Sequence, residues 1–106
     1  DKNAFIQFID IRSICDFIFK DESKSGVFNL IGPNPPIKFI DFIIQAKDLL
    51  NPKLKLNFIS PEMAKVPFYN FNSSWDGFFK IDGSKALSQG LKSFSAAETI
   101  QYVASC

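Results

Sequence analysis

The chain has 106 residues, of which 46% are hydrophobic and thirteen are phenylalanine, a composition that predicts a folded domain and argues against disorder. Twelve basic and eleven acidic residues give a net charge of +1 without a block of like charge, so we expect neither a nucleic-acid partner nor an acidic membrane. The chain has no apolar run of the roughly 18 to 20 residues that a membrane helix needs. Its charged start is unlike a signal peptide, and the sequence predicts a soluble, cytoplasmic protein.

The first two predicted elements are a strand and a helix. Residues 4–11 (AFIQFIDI) are mostly apolar with polar interruptions, which is typical of a strand. Ser13 is predicted to cap the helix that follows, with Asp16 reaching back to it. Cys15 is predicted to be a small core residue, whereas Cys106 says little about structure. The buried stripe of this helix is predicted to be Ile14, Phe17 and Ile18.

Residues 26–50 (GVFNLIGPNPPIKFIDFIIQAKDLL) predict one α/β unit. Residues 26–31 are almost all apolar, which favours a strand buried on both faces. Within it, Asn29 is interpreted as a buried amide that fixes the local backbone, in preference to a ligand contact. Prolines then end the strand, and residues 39–50 have the one-sided apolar spacing of an amphipathic helix. This unit needs neighbouring surfaces to cover it.

The remaining residues predict one more strand and three short helices. Residues 53–59 (KLKLNFI) alternate between polar and apolar side chains, which indicates a strand with one wet face. A brief helix is predicted to start at residues 60–62, and residues 67–80 are predicted to be an irregular, aromatic loop. Residues 82–90 predict a helix that Asp82 caps and Gly90 ends. A capping box at residues 95–98 opens the last helix, whose inward residues are predicted to be Ile100, Val103 and Ala104.

Several of these segments occur in a familiar order. FIDIRSICDFI at residues 8–18, GVFNLIGP at 26–33, the helix after it and IDGSKALSQGLKSFSAAETI at 81–100 resemble the C-terminal portion of the extended short-chain dehydrogenase/reductase family. Members of that family are NAD-dependent epimerases, dehydratases and reductases that act mostly on sugar nucleotides. The chain departs from the family at Ser13, where an Asp is common, and at Phe94-Ser95, where many members have Arg-Pro.

The resemblance implies a fold class and a domain organisation. The expected fold is α+β, with about three short strands and four to five helices, as the C-terminal part of an NAD(P)-binding Rossmann-type enzyme. Residues 1–106 would form a single C-terminal substrate-binding lobe. The missing N-terminal Rossmann lobe would be its partner, and a homodimer is a further expectation.

The family's catalytic and cofactor-binding motifs are absent from the sequence. There is no glycine-rich turn to cradle a pyrophosphate. Neither Tyr69 nor Tyr102 is followed four residues later by the lysine of the family's catalytic pair, since Ser73 and Cys106 stand there. The chain has no histidine either, which excludes histidine-dependent nucleophiles and metal sites. We therefore predict no catalytic, cofactor-binding or metal-ligating residue here, and NAD or NADP is implied only for the parent enzyme.

Four residues are candidates for contacting a substrate. Arg12 could bind a carboxylate or phosphate, with a surface or interlobe salt bridge as the alternative. Tyr69 and Trp75 could stack on a planar or sugar ligand, or cover the core or the missing lobe instead. Lys80 could meet an anionic substrate, such as a nucleotide sugar, or remain a solvated charge. Asp10 and Asp82 are interpreted as a turn acid and a helix cap.

Two classes of function remain open. The first is a substrate-binding C-terminal fragment of an NAD(P)-dependent sugar-nucleotide epimerase, dehydratase or reductase, inactive alone. The second is a stand-alone, non-catalytic binding or oligomerisation module. The sequence does not identify the substrate, and it does not distinguish NAD from NADP.

Overall fold

The structure is a computed structural model that describes residues 3–20, 22–60, 63 and 80–106. Four helices and two short strands lie in these ranges, and they make the chain an α+β protein. The elements are β1 (Phe5–Ile6), α1 (Ile11–Lys20), β2 (Ile37–Lys38), α2 (Phe39–Leu50), α3 (Ser84–Ser88) and α4 (Ala96–Ser105). The two strands pair antiparallel, with Phe5 opposite Lys38 and Ile6 opposite Ile37. The helix predicted to start at residues 60–62 lies largely outside the described residues.

The sheet is much smaller than the sequence predicts. The strand predicted over residues 4–11 is reduced to β1, although the Phe8 amide still donates to the Gly32 carbonyl. Residues 26–31 and 53–59 form no strand, so both of those predictions are wrong. Val27 is 83% exposed, and residues 53–59 are exposed throughout. An apolar or alternating run becomes a strand only where a neighbouring strand pairs with it, and no described strand pairs with either segment.

Side chains hold residues 26–31 in place without a strand ladder. Asn29 donates its side-chain amide to the carbonyl of Asp82 at 3.2 Å, and Lys85 Nζ donates to the carbonyl of Val27 at 2.8 Å. Asn29 is therefore a residue that fixes the backbone, as predicted, but it is exposed and not buried. In the same region the Gln7 amide bonds both the N–H and the C=O of Ile81, at 2.7 and 3.0 Å.

α1 begins two residues earlier than predicted. The Asp10 carboxylate accepts the Arg12 amide at 2.9 Å, and the Asp10 carbonyl accepts the Ser13 amide at 2.9 Å. Asp10 therefore occupies the capping position that the sequence analysis gave to Ser13, because a carboxylate is at least as good an acceptor there as a hydroxyl. Ser13 lies inside the helix and is buried. As predicted, Asp10 is a structural acid at a turn.

The two faces of α1 differ in burial. Phe17 is only 5% exposed and joins Ala86 and Leu91 in the core. The predictions for Cys15 and Ile18 are wrong, since both side chains are exposed. They belong to an apolar row, called the outer stripe below, that runs along the solvent side of the helix. The outer stripe consists of Ile11, Cys15, Ile18 and Phe19.

Local signals define α3 and its ends. Asp82 Oδ1 accepts the Ser84 amide at 2.9 Å, and this bond lowers the pKa of Asp82. The N-cap residue is nevertheless Gly83, one position after the Asp82 that the sequence predicts. At the other end Gly90 has a φ of 96°, and the Leu91 amide donates to the Ala86 carbonyl at 2.9 Å. This is the left-handed helix stop that the sequence predicts, and it buries Leu91.

α2 and α4 pack against each other. α2 covers the predicted residues 39–50, and α4 follows the predicted capping box: Ser95 Oγ accepts the Glu98 amide at 3.1 Å, and the Glu98 carboxylate accepts the Ser95 amide at 2.8 Å. Ile100 is buried as predicted. Val103 and Ala104 are exposed, contrary to the prediction, because they border an open groove between the two helices.

Candidate functional site

A cleft opens where the β1–β2 connection meets the start of α4. It has a volume of about 540 Å³, which lies in the range of small-molecule sites. The proline-rich segment before β2 forms one side, the first turns of α2 form the floor, and the residues before α4 close the other side. The lining residues are Phe5, Pro33, Asn34, Pro35, Pro36, Ile37, Lys38, Asp41, Gln45, Ser93, Phe94, Ser95 and Ala96.

Two aromatic walls of this cleft each carry a cation. Lys80 Nζ lies 4.3 Å from the ring centroid of Phe5. The guanidinium carbon of Arg12 lies 4.0 Å from the ring centroid of Phe94. Both distances are within the range of a cation–π contact. Two of the four sequence candidates, Arg12 and Lys80, therefore border the cleft through an aromatic ring.

Arg12 is held by its own chain. Its Nε donates to Asp10 Oδ1 at 2.9 Å and its Nη2 donates to Asp10 Oδ2 at 2.7 Å. The guanidinium carbon also lies 3.9 Å from the ring centroid of Tyr102. Thr99 Oγ1 donates to the same Asp10 Oδ2 at 2.9 Å. The salt-bridge alternative for Arg12 thus describes its geometry, although the pair is intramolecular and 33% of the Arg12 side chain remains accessible.

The hydrogen bonds at Asp10 have an electrostatic consequence. The bond from the Arg12 side chain, more than any other contact, lowers the pKa of Asp10 from 3.8 to about 2, although burial acts in the opposite direction. The same pair raises the pKa of Arg12. Both groups therefore keep their charges at neutral pH. The Thr99 hydroxyl and the Tyr102 ring tie this pair to α4.

The cleft is equipped for binding. Phe5, Phe94 and three prolines offer flat apolar surfaces, and the amides of Asn34 and Gln45 offer donors and acceptors. Lys38 and Asp41 add one charge of each sign. This combination suits a small polar ligand with an apolar face, such as a sugar. Across the described ranges no group of three His, Cys, Asp or Glu residues is placed to hold a metal ion.

Sequence reasoning missed three residues of this region, and two of its own candidates lie outside the described residues. Phe5, Phe94 and Asp10 were not candidates for binding, yet the first two form the walls and Asp10 orients Arg12. The Asp-x-Arg spacing was the available signal for Asp10, since a capping carboxylate also reaches the side chain two residues on. Tyr69 and Trp75, with the rest of the predicted loop up to residue 79, lie outside the described residues.

A second, apolar depression lies between α2 and α4. Its volume is about 290 Å³, and its walls are hydrophobic apart from one threonine. The lining residues are Phe8, Phe42, Ala46, Leu50, Thr99, Ile100, Val103 and Ala104. It lacks the converging polar groups that orient a small ligand, so the first cleft is the better candidate site.

No family model matches this chain, and neither does any curated protein or solved structure. Among the helices that the structure describes, none has the length and apolar character to cross a membrane. A dinucleotide pyrophosphate binds where a strand leads into a helix, and the described residues contain two such junctions, β1–α1 and β2–α2. Neither contains a glycine-rich turn, and the Asp10 carboxylate already occupies the start of α1. Within the described ranges, these two junctions therefore do not fit a nicotinamide dinucleotide.

Proposed function

We propose that this chain is the substrate-binding C-terminal portion of an NAD(P)-dependent epimerase, dehydratase or reductase, and that the 540 Å³ cleft receives the substrate. The observation that carries the proposal is the cleft with its two cation-bearing aromatic walls. The order of sequence motifs is the further support. The finer fold assignment, to a Rossmann-type extended short-chain dehydrogenase/reductase, is part of the same proposal.

In this proposal the cleft binds and orients a sugar-nucleotide substrate without transforming it. Phe5 and Phe94 would cover the apolar face of a sugar ring, while Asn34 and Gln45 would bond its hydroxyl groups. Lys80, against the Phe5 ring, would contribute positive potential, whereas the charge of Arg12 is compensated by its salt bridge to Asp10. The redox cofactor would bind elsewhere in the parent enzyme, because neither strand-to-helix junction among the described residues has a glycine-rich turn for it.

The proposal is tested by titrating the ¹⁵N-labelled 106-residue chain with a nucleotide sugar such as UDP-glucose. We expect saturable amide shifts that concentrate at Asn34, Ile37 and Lys38 on one side of the cleft and at residues 93–96 on the other. Parallel calorimetry with NADH and NADPH should give no binding. Scattered or absent shifts with UDP-glucose and with other nucleotide sugars would contradict the proposal, as would micromolar binding of either dinucleotide.

A matched pair of variants assigns the binding to the cleft. Phe94→Leu removes the ring of one wall. It should weaken the affinity for the nucleotide sugar about five- to tenfold, because an aromatic contact contributes about 1 kcal/mol beyond the burial of its area. Phe58→Leu makes the same change at an exposed position outside the cleft lining. Equal effects of the two substitutions would mean that the ligand binds somewhere else.

A second candidate function is a non-catalytic binding or oligomerisation module. The outer stripe of α1 favours it, because a regular row of exposed apolar side chains is typical of a surface that another protein covers. Association of the chain together with no response to any nucleotide sugar would favour this function over the first.

A further inference from the structure

Arg12 borders the cleft without belonging to its lining. Its Nε and Nη2 donors both go to the Asp10 carboxylate, at 2.9 and 2.7 Å, so this side of the guanidinium is occupied. The same carboxylate compensates the positive charge that would attract an anionic ligand. The contact of Arg12 with the cleft is therefore made through the Phe94 ring.

The local structure around Phe94 does not fix the direction of its ring. Phe94 lies in the irregular link between α3 and α4, directly before the Ser95 cap. A hydrophobic residue just before a helix cap commonly packs against the fourth residue of the helix. That fourth residue is Thr99, and its hydroxyl donates to Asp10. The capping box thus fixes the backbone beside Phe94, whereas the position of the ring depends on contacts that are distant in the sequence.

Arg12 provides such a contact and is itself anchored. Its guanidinium carbon lies 4.0 Å from the ring centroid of Phe94 and 3.9 Å from that of Tyr102. Asp10, whose side chain is only 2% exposed, holds the guanidinium from the start of α1, and Tyr102 holds it from α4. A planar guanidinium that is bonded in this way keeps one orientation against a ring, which the flexible ammonium group of a lysine does not.

We propose that Arg12 is a positioning residue of the cleft, whose guanidinium, held by Asp10 and Tyr102, fixes the Phe94 ring as a wall for the apolar face of a sugar. The proposal rests on the substrate-binding function proposed above. A ring that already stands in its binding orientation does not have to be ordered when the ligand arrives, and the entropy cost of ordering it is avoided. Arg12 therefore raises the affinity for the ligand without touching it.

The ligand-free chain tests whether Arg12 fixes the ring. Three-bond couplings from the backbone nitrogen and carbonyl carbon to Phe94 Cγ report the χ1 rotamers of this side chain, and we expect a single rotamer in the unsubstituted chain. Tyr102→Leu removes one ring from the guanidinium, and Arg12→Lys keeps the charge beside Asp10 without the planar group. Both variants should give couplings averaged over several rotamers, whereas the conservative Tyr102→Phe should restore the single rotamer.

Circular dichroism checks that each variant keeps its helices. Tyr102→Leu, at a side chain that is 38% exposed, decides the test if Arg12→Lys does not fold. Averaged couplings in the unsubstituted chain, or a single Phe94 rotamer in the folded Tyr102→Leu chain, would overturn the proposal.

Titration with UDP-glucose tests whether the fixed ring serves binding. Tyr102→Leu should weaken the affinity about two- to fivefold, which is the order of a cation–π contact. In the Phe94→Leu chain the same substitution should have no further effect, because the proposed action passes only through the ring. Equal losses with and without the Phe94 ring would mean that Arg12 and Tyr102 act on the ligand by another route, against the proposal.

Lys92→Gln is the matched control for positive charge. Lys92 Nζ lies 5.1 Å from the same Phe94 centroid, on an exposed side chain. Removing this cation should leave both the rotamer and the affinity unchanged, since we assign the effect to an anchored planar group. A loss of affinity as large as that of Tyr102→Leu would assign the effect to charge and would contradict the positioning role.

Failure of the proposed function gives a different pattern. If the unsubstituted chain binds no nucleotide sugar, or if Phe94→Leu leaves the affinity unchanged, the proposed use of this wall is wrong, and the couplings of the ligand-free chain alone decide whether Arg12 positions the ring. If Phe94→Leu weakens binding while Tyr102→Leu and Arg12→Lys do not, the substrate-binding function stands and the positioning role of Arg12 is overturned.

Discussion

The inner and outer faces of α1 belong to one ten-residue helix, but the inner face is buried and the outer face is exposed to solvent. The inner face contains Phe17 and the half-buried Ile14, beside the small Ser13 and the polar Arg12. The outer face contains two isoleucines and a phenylalanine in its stripe, all more than half exposed. The more apolar face of the helix is therefore the one in contact with solvent.

The reason for this orientation is a polar cluster at the start of the helix, called the polar clamp below. It consists of Asp10, Arg12 and Thr99. Burying a large apolar side chain stabilises a protein by about 1.5–3 kcal/mol. A helix rotated to bury the outer stripe would therefore gain several such contributions to its stability. However, the Asp10 side chain is only 2% exposed, and a buried carboxylate that loses its cation and hydrogen bonds costs several kcal/mol. Arg12 and Thr99 satisfy Asp10 only in the observed rotation, and Phe17 then fills the core. A helix can thus be oriented by a few polar contacts against its own hydrophobic pattern.

The largest expected difference between the faces comes from two phenylalanines on the same helix. Phe17→Ala should lower the free energy of unfolding by about 3–5 kcal/mol, because it leaves a cavity in the core. Phe19→Ala, at a residue that is mostly exposed, should change it by less than about 0.5 kcal/mol in dilute, monomeric protein. Urea denaturation followed by circular dichroism measures both. Similar losses for the two variants would mean that α1 is not oriented as described.

The polar clamp should give a pH-dependent contribution to stability. Since the folded chain lowers the pKa of Asp10 to about 2, the stabilisation is present above the unfolded value of about 3.9 and is lost as the pH falls from about 4 to about 2. We expect a loss of about 1–2 kcal/mol after allowing for solvent screening. Asp10→Asn should remove most of this dependence in urea titrations at several pH values.

A matched carboxylate separates the clamp from general acid effects. Asp48 pairs with Lys47 at 2.6 Å, but more than half of its side chain is exposed, and exposed pairs contribute little. The Asp48→Asn variant should therefore lose as much stability in acid as the unsubstituted chain does. If both substitutions reduce the pH dependence of stability equally, the loss of stability in acid is caused by the change in net charge and not by Asp10.

These contrasts also explain what the sequence could predict. The capping box at Ser95, the stop at Gly90 and the extent of α2 depend on neighbours within a few residues, and all three were predictable. The orientation of α1 and the failure of residues 26–31 to form a strand depend on which distant surfaces meet. Spacing along the chain carries no such information. For the same reason Arg12 was identifiable as a candidate, whereas its stacking on Phe94, 82 positions away, was not.

A smaller effect is expected at the capping box, which supports the inner face from outside α1. Ser95→Ala removes the acceptor of the Glu98 amide and should cost about 1 kcal/mol. Because α4 carries Thr99 and Tyr102 to the clamp, fraying of its first turn should also raise the Asp10 pKa towards 3.8. Carboxyl ¹³C shifts followed through the acid range measure that pKa. Ser105→Ala, at the other end of α4, is the control and should leave it unchanged.

The smallest expected effect compares two isoleucines that the sequence assigns to the same buried stripe. Ile18 is exposed on the outer face, whereas Ile14 is half-buried. Ile18→Gln replaces a β-branched residue by a better helix former at an exposed site, and it should be neutral or stabilising by a few tenths of a kcal/mol in the monomer. Ile14→Gln should destabilise by about 1 kcal/mol or more, because it places an amide in partly apolar surroundings. Denaturation at low protein concentration keeps any association through the outer stripe out of the measurement. If Ile18→Gln costs as much as Ile14→Gln, then Ile18 faces the core, as its spacing with Phe17 predicts, and the inner and outer faces would have to be reassigned.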